Sequence, residues 1–284
     1  KGNDNGIFAF GYISTHTSIS NLVSSVGVVG TDVTGVGTVR YYMAATQYGG
    51  DKGIMGYGHS GSGESVTNLV SNAGVVATDT TGVGTAKWYL TACSYGGDKG
   101  IFGYGSTGSV SSLTNLVSNA GVVATDTTGV GTARHSLASC EYGSDTAIFG
   151  YGDSGSDFSL TNLVSNVGVV GTDVTGVGTA RQSLAACSYG GDKGIFGYGN
   201  DGSALSMTNL VSNAGVVGTD VTGVGTARQY QGACEYGQDK GIFAYGYVSG
   251  NVSMSNLVSN AGVVATDVTG VGSAREGLGE CSYN

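Results

Sequence analysis

Asn-Leu-Val occurs six times, at Asn21, Asn68, Asn115, Asn162, Asn209 and Asn256, each copy 47 residues after the last. A strict period of that length restricts a chain to propellers, solenoids or arrays of one repeated unit. Six copies of 47 residues fill all but two of the 284 positions, which predicts a single repeat domain over residues 1–284. With 54 Gly and no Pro, every window of a dozen residues is too glycine-rich for stable helix. A 40% hydrophobic and 11% charged chain is nonetheless too apolar for disorder. Short strands joined by tight turns remain.

One repeat, from Arg134 to Ala180, shows the pattern. Leu137–Tyr142 reads as a short strand, Gly143-Ser144-Asp145 as a turn, and Ala147–Tyr151 as a second strand. Leu160–Val164 is a third, and Ser165–Gly168 turns the chain into a fourth over Val169–Thr172. Four strands per repeat make one propeller blade. The first strand of each repeat is small, as in Ala44-Ala45, Ala92-Cys93 and Ala185-Ala186-Cys187, which suits six strands crowding toward an axis. The chain starts just before a second strand and ends just after a first one, so residues 275–284 are expected to pair with 4–39. The expected fold is therefore all-β: a closed six-bladed β-propeller, four antiparallel strands per blade, its first blade completed by the C-terminal strand.

The run from Arg181 through Cys187 and Lys193 to Gly199 resembles a kelch repeat, with an Arg opening a small-residue strand, a turn, and a hydrophobic strand ending in glycines. It departs from that family in carrying Gly-Tyr-Gly where two glycines are usual, and in lacking an outer-strand Trp. The phrases Thr-Asn-Leu-Val-Ser-Asn and Asp-Thr-Thr-Gly-Val-Gly-Thr-Ala-Arg are similar to repeats of uncharacterised proteins of marine tailed phages. That likeness implies a virion or tail component, and a virion or extracellular location.

The residues offer little obvious chemistry. A net charge of −9 without any Lys/Arg run argues against nucleic-acid partners, and the short apolar runs argue against membrane insertion. The start, Lys1-Gly2-Asn3-Asp4, lacks the character of a signal peptide. Cys93, Cys140, Cys187, Cys234 and Cys281 share one slot, with Thr46 in the sixth; an odd number in equivalent positions reads as buried, reduced core residues rather than as reactive or ligating thiols. His16, His59 and His135 fall at different phases of the repeat, so no symmetric metal ring is expected. Gly35-Val36-Gly37 and its copies read as turns between blades, and Asp32, Asp79, Asp126, Asp173, Asp220 and Asp267 as Asx-type turn residues. Arg40, Lys87, Arg134, Arg181, Arg228 and Arg275 open the first strands and should pair with carbonyls or a turn Asp. No nucleophile elbow or repeated Tyr–His set is present, so neither enzymatic activity nor a cofactor is expected.

Differences between the copies cluster in two places, the loop between the second and third strands and the two residues after each Arg or Lys slot. Alternating strand direction puts both on one face. The candidate ligand-binding residues are Tyr41, Tyr42, Trp88, Tyr89, His135, Gln182, Gln229, Tyr230 and Glu276, aromatic groups for stacking with polar partners beside them. Drift in unconstrained loops competes with this reading. The expected function is a non-catalytic structural or binding module, a virion or surface-appendage component whose partner is a glycan or another virion or appendage protein. The alternatives are a secreted lectin and an enzyme acting at the central channel.

Overall fold

A computed structural model describes residues 3–284; Lys1 and Gly2, where the reading of the N-terminus began, lie outside the described residues. The chain forms six antiparallel sheets of three strands each, and no helix occurs among the described residues. The arrangement is that of a six-bladed propeller. The fourth sheet is typical: Ala138–Tyr142 inside, Thr146–Gly150 in the middle and Thr161–Val164 outside. The innermost strands of the other sheets are Ala44–Tyr48, Thr91–Tyr95, Ala185–Tyr189 and Gly232–Tyr236. In the first sheet the inner strand is Gly279–Tyr283, which pairs with Asn5–Tyr12 in the register Ile7↔Cys281.

Each sheet is covered on both faces by its neighbours, and glycine makes the fit. Phe149, fully buried, points back at the third sheet, where a Cβ on Gly103 would lie 2.9 Å from its Cζ. Its ring meets Tyr104 edge-on at 5.3 Å. On the other face, Cys140 Sγ presses on Gly194 of the fifth sheet, where any Cβ would strike it. Middle strands therefore read as mixed apolar runs without alternation, since neither face meets water. Burying each such Phe or Ile contributes about 1.5–3 kcal/mol.

The expected fourth strand is only two isolated bridges per sheet, Val164↔Val170 and Thr161↔Val174 in the fourth. A side chain interrupts the ladder: Asn162 Nδ2 donates to the Gly171 carbonyl at 3.1 Å and to Asp173 Oδ1 at 2.9 Å. Asp173 is correspondingly not a local Asx turn. Its carboxylate grips the chain as it leaves the third sheet, accepting from Thr132 N at 3.0 Å and Thr132 Oγ1 at 2.7 Å. The Gly-Val-Gly run is the structural link expected, because Gly131, at φ 77°, passes where any Cβ would strike Asp173.

The slot residues sit between sheets with no exposure. Arg134 donates from Nε to Tyr151 O at 2.7 Å, from Nη1 to Thr132 O at 3.0 Å and from Nη2 to Asn162 Oδ1 at 2.8 Å. Its guanidinium lies 4.6 Å above the Tyr104 ring of the preceding sheet. Matched donors lower the cost of burying a cation, and the match is incomplete at Arg181 Nη2 and Arg228 Nε, which have no partner.

Candidate functional site

At the axis, on the face carrying the variable loops, six residues join in a circuit of backbone hydrogen bonds. Tyr42 N donates to Gly277 O at 2.8 Å, Gly277 N to Tyr230 O at 3.0 Å, Tyr230 N to Ser183 O at 2.9 Å, Ser183 N to Ser136 O at 2.8 Å, Ser136 N to Tyr89 O at 2.8 Å, and Tyr89 N to Tyr42 O at 2.9 Å. All six have positive φ, from 51° at Tyr42 to 60° at Gly277. Left-handed backbone costs about 1–2 kcal/mol for a residue other than glycine, and one hydrogen bond returns about 0.5–1.5 kcal/mol. The ring thus roughly offsets its own strain while fixing where five side chains point.

Three of those side chains are Tyr42, Tyr89 and Tyr230, half-buried at the channel mouth. Tyr42 and Tyr89 stack at 3.9 Å, and Tyr230 closes the group at 5.3 Å from Tyr42 and 6.5 Å from Tyr89. Burial pushes the Tyr89 hydroxyl up to about 12 and the Tyr42 hydroxyl higher still. Tyr42 and Tyr89 therefore remain neutral near neutral pH.

Beneath them is a cavity of about 100 Å³. One water needs about 10–15 Å³ on this scale, so the space takes several waters or a small organic molecule. Met43, Leu90, Leu137, Leu184 and Leu278 line it with small alanines, and Thr91, Ser136 and Ser139 also reach it. Three successive sheets add the polar groups Ser183, Gln231 and Glu280. Ser183 Oγ, Gln231 Oε1 and Glu280 Oε2 are all buried atoms without a hydrogen-bond partner, although Ser183 and Gln231 are only 5% and 6% exposed. Gln231 Nε2 is already committed to Gly197 O at 3.1 Å, which leaves the oxygen as its free end. Burial holds the Glu280 carboxyl well above the usual carboxylate range, with only a partial offset from the Ala233 backbone N–H. What exposure the Glu280 side chain has is to the channel it lines.

Below Glu280 the channel continues between Glu141, Glu235 and the serines Ser94, Ser188 and Ser282. No Lys, Arg or His lines either part. The five cysteines are unbridged and buried, their thiols pushed up by burial, Cys93 to about 12.

The nine residues singled out in the sequence share one face but divide into two rings. Tyr42, Tyr89 and Tyr230 form the mouth just described. Tyr41, Trp88, His135, Gln182, Gln229 and Glu276 lie one position earlier and bridge to the loops between the middle and outer strands, as in Tyr41↔His59 and Trp88↔Ser106. His135 reaches Ser136 Oγ at 3.0 Å and Asp153 Oδ2 at 3.7 Å, and burial raises the Glu276 carboxyl. His16 and His59, though out of phase in the repeat, meet in neighbouring loops with ring centres 6.3 Å apart. Tyr41 stacks on His16 at 4.8 Å and meets His59 edge-on at 5.7 Å. Ser183, Gln231 and Glu280 were not among the candidates as a group. Their signal is in the chain: Gln231 stands where other repeats have Met43, Leu90, Leu137, Leu184 and Leu278, and Glu280 where they have Ala45, Ala92, Ser139, Ala186 and Ala233.

No family model and no curated protein matches the chain. Solved structures do. A novel fungal alcohol oxidase of the AA5 family, in complex with copper, superposes with a TM-score of 0.58 at 14% identity, over 95% of this chain and 63% of that one. The chain thus spans less than two thirds of that oxidase. The oxidase is an enzyme on the same architecture, so the expectation of a non-catalytic virion or appendage module, and of no enzymatic activity, is withdrawn. Among the described residues no three His, Cys, Asp or Glu converge as a metal-holding group. At this level of identity, what the two chains share is the fold.

Proposed function

We propose that the chain is a closed six-bladed propeller whose channel mouth is the reaction site for a small polar molecule, with Glu280 as its acid–base group. The observation that carries this is the cavity under the tyrosine mouth, lined by Ser183, Gln231 and Glu280, the last with its carboxyl raised by burial. The circuit through Tyr42 and Gly277 supports closure, since its hydrogen bonds return to their start.

In this reading Tyr42, Tyr89 and Tyr230 cover the ligand, and the outer ring from Tyr41 to Glu276 forms its approach. Ser183 and Gln231 orient it. Glu280, its carboxyl raised by burial, exchanges a proton with a basic atom of the ligand and is restored from channel water. A carboxyl raised by burial is suited to that exchange near neutral pH.

A ligand-observed NMR screen of small polar compounds tests the proposal, followed by incubation of each hit in D2O. The expected result is hits that bind the wild type and show protein-dependent deuterium uptake or conversion, both lost in Glu280→Gln with melting unimpaired. Hits indifferent to Glu280→Gln, or no hits, would overturn it.

A further inference from the structure

We propose that Ser136 is a nucleophile at the channel mouth, activated by His135 and aligned through Asp153, and that the molecule it attacks is an ester of a small acyl group. This rests on the channel reading above for the ligand's place and names its reaction. His135 Nδ1 lies 3.0 Å from Ser136 Oγ, and His135 Nε2 lies 3.7 Å from Asp153 Oδ2, so one imidazole joins a hydroxyl to a carboxylate. A carboxylate on the Nε2 side favours the tautomer with its hydrogen there, which leaves Nδ1 to accept the Ser136 proton. Gly155 N donates to both Asp153 oxygens at 3.1 Å and fixes that carboxylate. A nucleophile, a base in reach of it and a third group orienting the base are the parts of an activated serine.

The fold assembles them once. His135 and Asp153 face each other across the bridge that each repeat forms between its Arg-slot segment and the following loop, and no other such pair sets an imidazole against a carboxylate. Ser183 holds the same slot as Ser136, yet its neighbours are Gln182 and Asn200, neither of them a base. Ser136 itself is held in left-handed backbone at φ 55°, its N donating to Tyr89 O at 2.8 Å, and it lines the mouth cavity. The His135 ring packs 5.6 Å from that of Tyr89, which keeps it at the mouth. A cavity of about 100 Å³ among Met43, Leu90 and Leu137 admits a short acyl chain. All six N–H groups of the circuit are spent on its own carbonyls, so none is left for an oxyanion, and an ester is favoured over the more demanding amide.

The reaction balances with water as its only co-reactant. Ser136 Oγ bonds to the acyl carbon as its proton passes to His135 Nδ1; the carbon–alkoxy bond breaks, and the alkoxide takes that proton and leaves as an alcohol. Water then attacks the acyl-serine, its proton passing through Nδ1 to Ser136 Oγ, and the carboxylic acid is released. Asp153, a positioning residue, pairs with the imidazolium formed in between.

The test is turnover of p-nitrophenyl acetate, with acid-quenched protein mapped by peptide mass spectrometry. The expected result is nitrophenolate release with an acetyl group on Ser136. Ser136→Gly, which suits left-handed backbone as Gly277 does in the same slot, and His135→Gln should each lower kcat about 100-fold with melting unimpaired. Asp153→Asn should lower kcat about tenfold at unchanged KM. No acetyl group on Ser136, turnover that survives Ser136→Gly, or full kcat in His135→Gln or Asp153→Asn overturns the proposal. Hits in the compound screen above that depend on Glu280, with no acylation of Ser136, overturn the ester and leave the channel reading standing.

Discussion

Replacing Lys87 with Arg should stabilise the protein, by an amount that depends on pH in a specific way. Lys87 is the one slot residue that is not Arg, and it is fully buried. Its Nζ donates to Asn115 Oδ1 at 2.7 Å and reaches Leu113 O at only 3.4 Å, whereas Arg134 makes three bonds of 3.0 Å or less. Burial pulls the Lys87 ammonium down to about 8, against a partial lift from Asp126. The sign follows from linkage: below pH 8 the folded state must hold a charge it disfavours, and between pH 8 and the unfolded value near 10.4 the unfolded chain binds the extra proton, so stability rises with pH. A depression of roughly two units corresponds to about 3 kcal/mol at pH 7. Arg stays protonated throughout. The gap between K87R and wild type should therefore be widest near pH 7 and shrink by about 2 kcal/mol by pH 10. The buried thiols act oppositely, since their raised values cost stability above pH 8.5, but they are common to both proteins and cancel in the difference. Urea denaturation with a reductant at pH 7, 8.5 and 10 measures it. A gap that stays constant across that range, or an arginine variant less stable at all three, would refute the reasoning.

Four shorter predictions follow from the same packing. Removing residues 275–284 strips the strand that pairs with Asn5–Tyr12, so the product should aggregate or lose its cooperative melt; an unchanged melting curve would contradict the pairing. Asp126 is raised by burial but lowered further by hydrogen bonds from Thr85 and Asn115, so its contribution to stability is present above about pH 4 and lost as pH falls through its folded value; denaturation of Asp126→Asn at pH 7 and pH 3 should show the gap to wild type closing in acid. Tyr104→Phe deletes the 3.0 Å bond to Val130 O and should cost about 1 kcal/mol in urea unfolding, little because Phe10 fills that slot in the first sheet. Thiol titration should find all five cysteines unreactive until denaturant is added.

The period, the strand boundaries and the shared face of the variable segments were legible because each is repeated six times over, so local turn chemistry and small-residue strands could be read against one another. The fourth strand was not, because Val169–Thr172 has strand composition and only the tertiary reach of Asn162 to Gly171 O breaks its ladder. The role of Asp173 was hidden for a similar reason: its partner Thr132 is 41 residues away. His16 and His59 looked unrelated in phase, yet loops of adjacent sheets bring them together. The candidate site was half visible. Tyr42, Tyr89 and Tyr230 stood out as departures in a loop, while Gln231 and Glu280 are departures inside strands, where a reading built on the common pattern averages them away. Ser183, Gln231 and Glu280 also come from three different repeats, so only the ring of sheets makes them one wall.

That wall is the central claim, and the protonation state of Glu280 tests it most directly. Glutamate labelled with ¹³C at Cδ gives a carboxyl resonance for each Glu, and the one absent from Glu280→Gln is Glu280. The account predicts that this resonance still reports a protonated acid at pH 6, where an ordinary Glu, near 4.3, is ionised. Because a raised carboxyl loses stability as pH climbs past that unfolded value, Glu280→Gln should also gain stability over wild type at pH 7 and not at pH 4. A Glu280 resonance that titrates with the exposed carboxylates near pH 4 to 5 would mean the group is solvated and ordinary, and the channel would be no reaction site.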